Sequence, residues 1–79
     1  MQRIMAIPVG VRVRIEGVGY EALFRGRVGT LVGYTRGGWA RVRIDDASPW
    51  EASLSAERDD TTGLPIVILF PECLQSDPS

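Results

Sequence analysis

Trp39-Ala40-Arg41-Val42-Arg43-Ile44 alternates with a strict period of two. Ala40, Val42 and Ile44 fall on one side of an extended chain, and Trp39, Arg41 and Arg43 on the other. That is the pattern of a strand buried on one face. It stands earlier too, in Val11-Arg12-Val13-Arg14-Ile15. Two such segments predict an antiparallel all-β domain with an aliphatic inner face and a cationic outer one.

Further strands follow from composition. Residues 27–34 read as a strand punctuated by Gly26, Gly29 and Gly33; glycine within a strand marks a bend, a bulge or a close backbone approach. Arg36-Gly37-Gly38 is a hairpin signal, because glycine accepts positive φ. Residues 17–20 read as a loop. The apolar run Leu64–Phe70 reads as a strand buried on both sides, with an oligomer contact as one use of that burial. Pro71-Glu72-Cys73-Leu74 reads as a 3₁₀ turn that docks Leu74, and residues 75–79 as a frayed polar tail. Residues 45–63 read as a long acidic loop, a kind of segment that in a small domain is usually functional or disordered; a short helical turn over 51–58 is weighed as the less favoured reading.

The charge is split between the halves of the chain. Residues 1–44 hold eight arginines against two acids, a net of +6; residues 45–79 hold one arginine against eight acids, a net of −7. Lysine and histidine are absent and Cys73 is the only cysteine. This composition excludes a disulfide framework and a Cys/His zinc site, and it removes the commonest general base. Cys73 reads as a buried core thiol. Asp45-Asp46 and Asp59-Asp60 read as turn formers rather than as a cation site. No cofactor or metal is expected. With 79 residues the chain is one domain, and no apolar segment approaches the ~20 residues that span a bilayer. A cytoplasmic location is the default reading.

The stretches Val9–Ile15 and Phe24–Val32 resemble SH3-like small barrels of the KOW type. Gly26 and Gly29 hold the two glycine positions of a Gly-x-x-Gly-x-Val stretch, and Leu31 holds its apolar position. The chain departs from the family at Val11, where an acidic residue is usual. Residues 67–74 look like the closing strand and turn of such barrels. The resemblance implies a single SH3-like five-stranded barrel over residues 1–79, with an acidic loop before the last strand. Proteins of this type include ribosomal proteins, elongation factors and small phage or mobile-element proteins. The segment Val67-Ile68-Leu69-Phe70-Pro71 is also similar to the pore-lining Val-Gln-Ile-Tyr-Pro of type II plasmid dihydrofolate reductases. Ile68 and Phe70 replace its glutamine and tyrosine, so both polar ligand contacts are missing.

Three functions are weighed. The first is a non-enzymatic interaction module, such as a phage or mobile-element accessory protein acting on a host protein. Its expected binding residues are Trp50 with the acidic loop, or the Arg/Trp face. The second is a KOW-like nucleic-acid binder using Arg12, Arg14, Arg41, Arg43 and Trp39 for phosphate contact and base stacking. Against it stands a plainer expectation: those arginines pair with the chain's own acids. The third is an oligomeric reductase-like enzyme.

Overall fold

The computed structural model describes residues 7–16, 24–53 and 57–77. Five strands form one antiparallel sheet: β1 (Arg12–Ile15), β2 (Val28–Tyr34), β3 (Ala40–Ile44), β4 (Ile66–Leu69) and β5 (Leu74–Ser76), in the order β4-β3-β2-β1-β5. A five-residue helix, α1 (Pro49–Ser53), follows β3, and a 3₁₀ turn (Pro71–Cys73) joins β4 to β5. Among the described residues, no helix is long and apolar enough to cross a membrane.

The alternation that predicted the strands also sets the core. Val13 and Ile15 from β1, Leu31 from β2, and Ala40, Val42 and Ile44 from β3 meet Leu69 of β4 and Leu74 of β5 in one buried cluster. Phe24 and Tyr34 pack against it. Complete burial of a side chain of valine or leucine size stabilises by about 1.5–3 kcal/mol before conformational entropy is set against it.

Glycine serves close approach at one point. β2 passes so near β3 at Gly29 that a Cβ there would overlap the carbonyl oxygen of Arg43 and lie 2.9 Å from Val42 Cγ1. The β2–β3 register then shifts between Leu31 and Gly33. The hairpin closes where Arg36-Gly37-Gly38 predicted, with Gly38 at φ +91° and the Thr35 N–H donating to the Trp39 carbonyl.

Four expectations are corrected. Residues 74–76 form β5, and the Asp77 N–H donates to the Arg12 carbonyl, so the tail is a strand through Ser76. Its only buried residue is Leu74, which leaves no period to read; the unpaired edge of β1 makes the strand. Second, Leu64–Phe70 is buried on both sides only in part: Ile66 and Leu69 face opposite ways and are both buried, whereas within the single chain Ile68 and Phe70 are exposed. Third, the segment 45–63 carries its own structure. A helical turn does form, the less favoured reading, and it begins at Pro49, ahead of the 51–58 weighed for it. Arg58 bridges Pro65, and Asp59 Oδ2 accepts hydrogen bonds from the Thr61 and Thr62 amides and the Thr62 hydroxyl. Those bonds, Thr62 first, hold the Asp59 carboxyl below its usual range. Fourth, Cys73 is half-buried rather than a core thiol. The expected loop at 17–20 lies outside the described residues.

The close approach at Gly29 gives a stability test. Gly29→Ala should lower the urea unfolding free energy by about 2–3 kcal/mol, the upper part of the range for overpacking. Gly37→Ala, whose added carbon meets only ordinary contacts near the Trp39 ring, should stay within about 0.5 kcal/mol. An unchanged midpoint for Gly29→Ala would contradict the contact.

Candidate functional site

Strand parity puts Arg12 and Arg14 of β1 and Arg41 and Arg43 of β3 on the outward face, opposite the buried aliphatics. The register aligns Arg12 with Thr30 and Thr30 with Arg43, so one row crosses three strands. The four arginines therefore share a face, as the sequence predicted. Each of them is also paired. Arg12 Nε lies 3.4 Å from Asp77, and Arg14 Nη1 lies 3.7 Å from Glu16. Arg41 pairs with Glu57. Arg43 Nε donates to Asp45 at 2.7 Å; its Nη2 donates to the Thr30 hydroxyl, which donates in turn to Asp45 at 2.6 Å. Asp45, Glu57 and Asp77 all come from the acidic half. The Arg14–Glu16 pair is exposed on both sides and contributes about 0–1 kcal/mol; Arg12 is exposed, but its partner Asp77 is largely covered.

Trp39 lies at one end of this face. Ala40 is opposite Leu69, so Trp39 is opposite Phe70. The Ile44 N–H donates to the Pro65 carbonyl, and alternation from that pair makes Trp39 and Phe70 one of the closely spaced pairs without backbone hydrogen bonds. Their rings stack with centroids 4.2 Å apart. Trp39 remains 40% exposed and Phe70 47%, with exposed Ile68, opposite Arg41, in the next pair on the same face.

Trp50 sits elsewhere. It lies beyond the C-terminal end of β3 and Trp39 before the N-terminal end, so a strand about 17 Å long separates the two segments. At 71% exposure Trp50 is the most open of the large apolar side chains described. Its turn is nonetheless held firmly. The Ser48 hydroxyl accepts from the Glu51 N–H, and the Glu51 carboxylate accepts from the Ser48 N–H, a reciprocal helix cap. Both Glu51 oxygens also accept from the Arg27 guanidinium, at 3.0 and 3.1 Å, while Arg27 Nε donates to Asp46 at 2.9 Å. Ala47 packs against the core. The Ser53 hydroxyl donates to the Trp50 carbonyl.

Arg27 and its two carboxylates were not foreseen. Ser48-Pro49-Trp50-Glu51 carries the Ser-x-x-Glu spacing of a capping box, which was the available signal for the turn. Nothing local marks Arg27 as its clamp across 24 positions of chain. Among the described residues no cluster of three or more potential metal-ligating side chains occurs.

The clamp has a titration consequence. The Arg27 guanidinium, then the Ser48 amide, holds the Glu51 carboxyl below its ordinary range. A depressed carboxyl contributes stability above its unfolded value, about 4.3, and loses it as pH falls through the folded value. An NMR titration of the Glu51 carboxyl carbon should have its midpoint below that value, and Arg27→Gln should move it upward. A midpoint indifferent to Arg27→Gln would contradict the clamp.

Comparison with protein-family models, with curated proteins and with solved structures finds no match to this chain.

Proposed function

We propose that the chain is a small non-enzymatic protein-interaction module, an SH3-like barrel whose principal anchor is Trp50. Several features support the barrel: the strand order, the 3₁₀ turn between β4 and β5, and a core drawn from one face of all five strands. The five-residue helix is too short to cover such a face, so a sheet that curls over its own aliphatics is the economical solution.

The observation that carries the functional reading is a widely exposed indole on a turn held by a reciprocal cap and a two-pronged guanidinium contact. Burying an aromatic of this size on a partner yields much of the energy of a typical hot spot. A turn already ordered adds little conformational entropy cost on binding. The nucleic-acid reading is weaker, because Arg12, Arg14, Arg41 and Arg43 would have to exchange carboxylates of the same chain for phosphates.

Affinity capture from the native host, with and without nuclease, tests the choice. A protein partner should be retained after nuclease and lost from Trp50→Ala. A fluorescent single-stranded oligonucleotide should show no anisotropy change at about 50 mM salt, where phosphate contacts are strong. Nuclease-sensitive capture, or a partner indifferent to Trp50→Ala, would overturn the proposal.

A further inference from the structure

We infer that two copies of the chain pair antiparallel through the outer edge of β4, with Leu69 on the two-fold axis. The inference is independent of Trp50. β4 is an edge of the sheet, with β3 its one neighbouring strand. Alternation from the Ile44–Pro65 bond turns the N–H and C=O groups of Ile66, Ile68 and Phe70 away from β3. The Ile66 N–H shows that direction, since it donates to the Glu57 carbonyl; the Phe70 carbonyl accepts from the Cys73 N–H. Both Ile68 groups and the Phe70 N–H have no hydrogen-bond partner among the described residues. An edge strand in a lone chain is usually blunted by charge, proline or a bulge. Ile66-Val67-Ile68-Leu69-Phe70 carries no charge and no proline, and its pairing with β3 runs without a register shift.

Three exposed apolar side chains, Trp39, Ile68 and Phe70, stand on the outward face at this edge. Arg41, opposite Ile68, is already paired with Glu57. A neutral apolar patch is compatible with its own copy, as a two-fold contact requires. The register follows from what else lies along the edge. Arg58 bridges Pro65, so Glu57 occupies the place beside Ile66. Setting Ile68 opposite the partner's Ile68 would bring the partner's Phe70 into that place, which is taken. Setting Ile68 opposite the partner's Phe70 avoids it. The Ile68 carbonyl then accepts from the partner's Phe70 N–H. The Ile68 N–H donates to the partner's Phe70 carbonyl, whose second lone pair remains for Cys73. The two-fold repeats both bonds and lays each Ile68 side chain against a Phe70 ring. Pro71 and the 3₁₀ turn end the strand, and the isologous contact closes at two copies.

Sedimentation velocity of the full chain between about 5 and 500 µM tests this, because a small interface gives a weak, concentration-dependent dimer. The mass should rise toward twice that of one chain. Ile68→Lys sets an ammonium on the edge and should weaken association at least about tenfold. Val9→Lys, at an exposed apolar position beside β2, should leave it unchanged. Amide exchange reads the same contact without a variant. The Ile68 and Phe70 amides should slow severalfold at the higher concentration, more than those of Val67 and Leu69, which face β3. In a mixture of labelled and unlabelled chain, isotope-filtered NOEs should join the Ile68 methyls of one copy to the Phe70 ring of the other. A chain that stays monomeric throughout, or a dimer that Ile68→Lys leaves intact, would overturn the inference. So would an Ile68 amide that exchanges equally at both concentrations, whether or not the variant folds. A dimer without the Ile68–Phe70 NOEs would overturn the pairing.

Discussion

Burial of one sheet face is the constraint from which most of this molecule follows; Ile66 of β4, buried on the opposite face, is the exception. Eight aliphatic side chains from all five strands meet in a single cluster. A strand turns alternate residues to opposite sides, so the residues between these aliphatics must face outward. In β1 and β3 those residues are arginines. A cationic outer face is therefore the geometric complement of the core. Its existence alone says nothing about a ligand.

Charge balance decides what that face does. The basic half of the chain supplies β1, β2 and β3; the acidic half supplies the segment after β3, together with β4 and β5. Folding brings the halves together, so Asp45, Glu57 and Asp77 reach Arg43, Arg41 and Arg12. The outer face is lined with ion pairs made within one chain. Among the described residues the exposed aromatic rings lie toward the two ends of β3: the Trp39–Phe70 stack at one and Trp50 at the other. The capping and Arg27 contacts make the second an ordered projection rather than a loose loop.

Much of the fold was legible because its signals were local. Val13, Ile15, Val42 and Ile44 announced their strands by period, and Gly29 and Gly38 announced a close approach and a turn. The missing parts depend on distant partners. Leu74–Ser76 is a strand because β1 offers an edge. Ile68 and Phe70 looked buried because a run of apolar residues carries no record of which side is covered. The candidate site was read in the same partial way. Trp50 was recognised as an aromatic in a polar segment, and the arginine face by parity. The cap at Ser48 and Glu51 had a recognisable spacing. Arg27 had none, since its role arises only when the residue preceding β2 meets Glu51 of α1.

A preformed Trp50 anchor requires a turn as ordered as the sheet that carries it. Backbone ¹⁵N relaxation at residues 47–53 measures this directly. Order parameters near about 0.85, matching those of β3, are predicted. Values below about 0.6 across the turn, beside a rigid β3, would mean that the cap and the Arg27 clamp do not hold it. Trp50 would then be no preformed anchor.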